Sequence, residues 1–441
     1  MDKPKIGILG MAFPGNNMGE EMCADKTNEM AAWLSSNKNL EVIKASCEAL
    51  DETGVVTAAH EIATEDIDII LILLCSFVPD YFVVKALEIC DKPVFIWAVE
   101  REMKCISLVG GCLAIGALYN LQKNFELCAT DIGDKKAMEQ LMIFARAGML
   151  RSRCHQAKIG VSGGKNDIML SLQWDEFELR KRFGVSIDNI PIEELYRKAE
   201  SLDEKEVERE WQNINKEISK NTVKKADGLY STRLYLAALD LVLQKGLSGY
   251  SVNCYPALKA KICLAVAKLN DQLCATGCES DINSTFMMYL LQTLTGKAAF
   301  NGDFLRMYNK ENSILFSHCG AGAFSLAKDK SEIQLNASIE TCNGCAVCYA
   351  TYAKGSYTLL NMMTGKNGLR VSALVGTALP TDLEYEGTPI KIGFEKNVEE
   401  ILQQMCKYGC SHHWSGAEGN YAKEIELLCK WAGVEFNLVS M

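Results

Sequence analysis

Proline is scarce in this chain, 8 in 441 residues, and histidine is scarcer still at 5. So little proline excludes collagen-like and Pro-rich low-complexity architectures. So few histidines confine any imidazole chemistry to a short search. Long apolar runs are missing too: the most apolar stretch, residues 70–78, falls far short of the roughly 20 residues that a membrane-spanning helix needs. At the amino terminus, Met1-Asp2-Lys3-Pro4-Lys5 leads straight into the strand-like residues 6–11, with no apolar segment and small-residue cleavage site between them. The pattern of a secretory signal is therefore absent, and a soluble, cytoplasmic protein is expected. Basic residues are in deficit, 46 against 56 acidic, for a net charge of −10. A surface of that sign does not coat a polyanion, so neither nucleic acid nor a membrane is an expected partner. The loop Gly160-Val161-Ser162-Gly163-Gly164-Lys165 follows a strand but matches neither the dinucleotide fingerprint nor the Walker pattern.

What the chain has in excess is cysteine, 19 residues, in an otherwise ordinary composition of 48% hydrophobic and 23% charged residues. In a large chain without an export signal these read as reduced thiols rather than a disulfide framework. Cys75, Cys90, Cys112, Cys263 and Cys429 sit inside apolar helix or strand patterns, where cysteine acts as a small hydrophobe. Cys342-x-x-Cys345-x-x-Cys348 has ligand-like spacing but no fourth partner nearby, and strand packing is the better explanation.

At about 150 residues per domain the length predicts two or three domains. Residues 5–11, 40–45, 67–75 and 92–99 read as strands separated by helical patterns, the alternation that builds a doubly wound parallel sheet. A second start at Lys158-Ile159-Gly160 echoes Lys5-Ile6-Gly7 and opens a second Rossmann-like α/β domain. The charge-dense residues 193–225 read as a solvated helical face or a subunit contact. After residue 328 the pattern turns to short alternating segments bounded by Gly or Asn, which predicts a smaller, mainly antiparallel β domain. The expected division is 1–156, 157–328 and 329–441.

Of the five histidines, His60 lies in an early charged helix and His155 in an inter-domain stretch. His318 directly follows a strand, and His412 and His413 are adjacent in a loop between two helical patterns. Glu279 precedes an amphipathic helix, and Asp303 follows a short strand. Ligands in open α/β sheets bind beyond the carboxyl ends of strands, where Asp303 and His318 both fall. Singly, each has a plain structural explanation: Glu279 and Asp281 as acidic residues at a helix start, Asp303 as a turn residue. Together a Glu, an Asp and a His form a mixed oxygen/nitrogen donor set suited to Mn²⁺ or another divalent cation, with carboxylates able to move protons.

Several short segments in order resemble the L-fucose/L-arabinose isomerase family of ketol isomerases. They are Pro93-Val94-Phe95-Ile96-Trp97-Ala98 followed by Ser107-Leu108-Val109-Gly110-Gly111, then Asn253-Cys254-Tyr255-Pro256 and Leu269-Asn270-Asp271. Cys278-Glu279-Ser280-Asp281, Phe300-Asn301-Gly302-Asp303, His318-Cys319-Gly320 and His412-His413 ahead of Gly419 complete the set. The resemblance implies three domains and a homo-oligomer, trimer or hexamer, with active sites near subunit interfaces. It also implies a Mn²⁺ (or Co²⁺ or Mg²⁺) site at Glu279, Asp303 and one of His412 and His413, with His413 preferred. His318 matches the extra histidine of the arabinose branch, either a ligand or part of the pocket lining. The implied reaction interconverts an aldose and a ketose through a cis-enediol, with Glu279 and Asp303 as the proton-moving carboxylates. Candidate substrates are L-fucose, L-arabinose and substituted hexoses such as sulfoquinovose, whose sulfonate needs a cation such as Arg101, Lys104 or Lys165. Expected sugar contacts, besides His318, are Asn16, Trp97, Arg101 and Trp414. The competing reading is a non-catalytic cytoplasmic sugar-binding or sensor protein on the same scaffold.

Overall fold

The computed structural model describes residues 2–15, 20–100, 106–339, 342–366 and 368–440. The chain forms two compact units, Asp2–Arg153 and Cys154–Met441.

The first unit is built on five parallel strands in the order Glu41–Lys44, Lys5–Met11, Ile69–Leu74, Val94–Ala98, Phe125–Ala129. Every residue of Ile69–Leu74 is buried, because a central parallel strand is covered by helices on both faces. The helices Cys23–Ser35, Glu52–Ala63, Asp80–Ile89 and Ser107–Asn120 alternate with these strands, and Asp51 caps the second by accepting from the Gly54 amide at 2.7 Å. Trp97, expected at a sugar, is instead a core residue. It is fully buried, its indole N–H donates to the Thr130 carbonyl at 3.0 Å, and its ring meets Trp33 edge-on at 5.7 Å. Asn16, Arg101 and Lys104 lie outside the described residues.

The second unit opens with the same winding. Four parallel strands run in the order Ala275–Cys278, Gly249–Val252, Lys158–Ser162, Ser186–Ile190. Ile192–Ser201 and Glu204–Asn215 are amphipathic surface helices that bury Leu195, Val207, Trp211 and Ile214 and leave their charges in water. The helix Ile282–Thr295 carries no charged residue and is buried almost all round.

The antiparallel part is a closed barrel. Around it run Ser356–Gly365, His413–Glu418, Phe300–Tyr308, Ser313–Ser317, Ile390–Gly393 and Gly368–Leu379, the last pairing back to the first, with Glu435–Leu438 added alongside. Closure leaves no free edge among the six barrel strands. Two strands from before residue 328 are thus part of this sheet, so the antiparallel region begins near Phe300 rather than at the expected limit. Of the pair expected in a loop, His412 lies in a bend and His413 opens the strand His413–Glu418. Phe300, Phe316, Leu359, Leu374, Ile392 and Trp414 fill the barrel core.

The Cys345 and Cys348 side chains are buried in the strand Cys342–Cys348. Burial pushes the Cys345 thiol up to about 12 and that of Cys348 to about 11, and Asn336 donates a hydrogen bond to the Cys348 sulfur. Both thiols are therefore protonated where they pack in the strand. Among the described residues no helix is long and apolar enough to cross a membrane.

Two glycines of one helix give opposite expectations. A Cβ at Gly110 would lie 2.8 Å from the Val78 amide nitrogen and 2.9 Å from its carbonyl oxygen, whereas one at Gly116 would meet nothing within 4 Å. Gly110→Ala should lower stability by about 1–3 kcal/mol, because backbone cannot step aside, and Gly116→Ala should raise it by up to about 1 kcal/mol. Thermal melts of the two variants check both signs.

Candidate active site

One strand-to-helix turn and three barrel strands of the second unit deliver the site. Glu279 and Ser280 follow the strand Ala275–Cys278 and hold φ of +60° and +56°. Two consecutive non-glycine residues in the left-handed region cost roughly 1–2 kcal/mol each, the kind of strain that persists where surrounding structure imposes it. The next residue, Asp281, caps the buried helix: its Oδ1 accepts from the Ser284 amide at 3.0 Å and its carbonyl from the Thr285 hydroxyl at 2.7 Å.

The barrel supplies the other side chains. In the register of its antiparallel strands Asp303 sits opposite His413 on one side and Ser317 on the other. That row of three neighbouring strands carries His413, Asp303 and Ser317, and His318, the residue just past the end of its strand, brings its ring to 5.2 Å from that of His413. Asn361 pins the histidine pair through its side-chain amide, donating to the carbonyls of His413 at 2.6 Å and Ser411 at 3.3 Å.

These residues converge closely. His413 Nε2 lies 3.5 Å from Glu279 Oε2 and 3.6 Å from Asp303 Oδ1. His412 Nε2 lies 3.6 Å and 3.9 Å from the same two oxygens, beyond hydrogen-bond length. The His413 side chain is 1% exposed, whereas that of His412 is 39% exposed. Glu279 Oε2, Asp303 Oδ1 and His413 Nε2 are buried without a hydrogen-bond partner. Leaving three such atoms unpaired in one place is costly unless something outside the chain satisfies them. Two atoms each about 2.1 Å from a common cation can stand up to about 4.2 Å apart, so the separations fit shared ligation. Glu279, His412 and His413 also lie close enough together to hold an ion as a set.

Asp281 is the residue that sequence reasoning set aside as a helix cap. Its Oδ2 is 2.7 Å from His413 Nδ1 and accepts that nitrogen's proton. A carboxylate on Nδ1 fixes the ring and leaves Nε2 aimed at the other groups. The only signal in the sequence is a second acidic residue two positions after Glu279, and a cap explains that fully.

The electrostatics follow from this crowding. Burial works against the charge on Glu279, but the rings of His412, His413 and His318 outweigh it and hold the carboxyl at about 2. Burial likewise opposes a charged His413, yet Asp281 with Asp303 and Glu279 raises it to about 9.

Trp414, expected at the sugar, points the other way. It alternates with His413 along its strand and is buried in the barrel core against Phe316. Lys165 is exposed, donates to the Trp174 carbonyl at 2.9 Å and lies over that indole at 4.8 Å. Of the expected site residues, the structure brings together Glu279, Asp303, His412, His413 and His318.

No family model matches the chain. Among curated proteins it is similar to the sulfoquinovose isomerase of Priestia megaterium (strain ATCC 12872 / QMB1551), 25% identical over 427 residues, 92% of this chain and 94% of that one. It is also similar to the sulfoquinovose isomerase of Alkalicoccus urumqiensis, 23% identical over 370 residues, and to that of Clostridium sp. (strain MSTE9), 25% identical over 358 residues. Those matches cover 81% and 78% of this chain and 83% and 80% of the relatives.

Asp281→Asn separates the two jobs of this side chain. Asparagine caps a helix as well as aspartate, so the fall in melting temperature reports the lost partner of His413, and it should be largest near pH 6 and shrink above about pH 9. In metal-free protein the stability contributed by protonated His413 is full below about 6.5 and is lost as the pH rises through about 9. In the variant that loss should move to lower pH. Denaturant unfolding from pH 5 to 10 measures it.

Proposed function

We propose that this chain is an aldose–ketose isomerase that holds a divalent cation at Glu279, Asp303 and His413, with His412 at the rim, and acts on sulfoquinovose. The observation that carries the reading is the meeting of three buried, unpartnered donor atoms from distant parts of the chain. The similarity to sulfoquinovose isomerases over most of both chains supports the reaction and the substrate. Two oxygens and an imidazole nitrogen suit Mn²⁺, Co²⁺ or Mg²⁺.

A cation bound there would supply the positive charge that polarises a sugar carbonyl and steadies the charge that builds on its oxygen. The protein's own groups do the proton work. An aldose becomes a ketose when one proton leaves C2 and one arrives at C1, while the hydroxyl proton passes from O2 to O1 through a cis-enediol. Glu279 and Asp303 are the carboxylates at hand for the carbon-bound proton, and Glu279 is held ionised, as a base must be. His413, locked by Asp281, keeps its Nε2 directed at both carboxylates. The buried walls at Glu279, His318 and His413 limit water at the reacting carbons.

Two measurements test this. Ketose formation from a panel of sulfoquinovose, L-fucose and L-arabinose should be strongest on sulfoquinovose, vanish after chelation and return with Mn²⁺. Glu279→Gln should lower kcat by about 10²–10⁴-fold with the fold retained by circular dichroism. No turnover of any aldose in the Mn²⁺-loaded protein would overturn the reading.

A further inference from the structure

His318 is held more tightly than a pocket wall requires. It is 3% exposed and follows the barrel strand Ser313–Ser317, and its ring lies 5.2 Å from that of His413, tilted by 32°. Its carbonyl accepts from the Gly320 amide at 2.8 Å. Gly387, with φ of +137°, approaches that same carbonyl so closely that a Cβ would lie 2.2 Å from it. The backbone on both sides of the ring is thereby fixed.

The decisive contact is at the ring itself. The backbone N–H of Cys319 donates to His318 Nδ1 at 2.8 Å. The Cys319 sulfur lies 3.4 Å from the same nitrogen. A ring nitrogen that accepts an amide hydrogen carries none of its own, so the imidazole's proton sits on Nε2. That Nε2 is buried and has no hydrogen-bond partner. His413 is the reverse: its Nδ1–H donates to Asp281, so Nε2 is the nitrogen that offers a lone pair to a cation, giving up its own proton when one binds. Two neighbouring rings therefore present opposite polarity to the site, one a lone pair and the other an N–H. A cation accepts the first and is repelled by the second.

We propose that His318 is not a metal ligand but the hydrogen-bond donor to a substrate oxygen, its Nε2–H meeting the oxygen at C1 or C2 beside the ligand set. This rests on the isomerase reading for the identity of the oxygen, and on the Cys319 contact alone for the exclusion of ligation. An oxygen that gains negative charge as the enediol forms draws most from a fixed donor in a dry site, so the contact strengthens toward the transition state.

The test uses two amide replacements in the full-length protein. His318→Asn keeps an acceptor where Nδ1 stood, so the Cys319 amide stays paired, and removes the donor at Nε2. His318→Gln extends an amide N–H to about the Nε2 position. Mn²⁺ affinity is measured by paramagnetic resonance titration of the stripped proteins, and kcat and KM are measured separately. The expected result is Mn²⁺ affinity within about threefold of wild type in both variants. Alongside it, kcat should fall by about 10²–10³-fold in His318→Asn and by clearly less in His318→Gln. A drop of tenfold or more in Mn²⁺ affinity in both variants would make His318 a ligand and overturn the proposal, as would an unchanged kcat in His318→Asn. If wild type turns over no aldose, the isomerase reading fails, while the Mn²⁺ titration still decides whether His318 ligates.

Discussion

One hydrogen bond, from His413 Nδ1 to Asp281 Oδ2 across 132 positions of sequence, organises the centre of this protein. It joins the amino end of a buried helix to the first residue of a barrel strand. The helix needs Asp281 for its free amides, and the ring needs it to settle which nitrogen carries the proton. Because one carboxylate serves both, the fold cannot place the helix without also orienting the imidazole. The Ser415 hydroxyl strengthens the same junction by donating to the Ser284 carbonyl at 3.0 Å.

Around that junction the site is an arrangement of incomplete partners. Glu279 reaches it through two left-handed residues whose strain the neighbouring strand and helix impose. Asp303 reaches it through strand register, and His318 through the turn after the adjacent strand. Each brings a buried polar atom that the chain leaves unpaired. A packed interior normally satisfies such atoms, so their clustering marks the place where a ligand completes the structure. Once a cation replaces the Nε2 proton of His413, the two rings divide the work, His413 presenting a lone pair and His318 a hydrogen.

The same reasoning separates residues that look functional from those that are. Trp97 and Trp414 are amphipathic and stand next to suggestive motifs, yet both are fully buried packing residues. In a strand the side chains alternate, so the neighbour of a ligand faces the opposite way. Cys345 and Cys348 carry metal-like spacing, but burial keeps them protonated.

Much of this was written in the local pattern. The central strands announce themselves as Ile/Leu runs such as Ile69–Leu74, because a parallel strand is buried on both faces and only apolar residues suit it. The β-rich tail shows as alternation, and the carboxylates and histidines are rare enough in apolar surroundings to stand out. Three-dimensional closure decided the rest. Which strands complete the barrel depends on pairings between Phe300–Tyr308 and His413–Glu418, more than a hundred residues apart, and no local signal encodes them. The same closure turned His413 inward and Trp414 to the core, gave Asp281 its second role, and set the proton of each imidazole. A tautomer is fixed by whatever lies against the ring, and that neighbour exists only once the chain has folded.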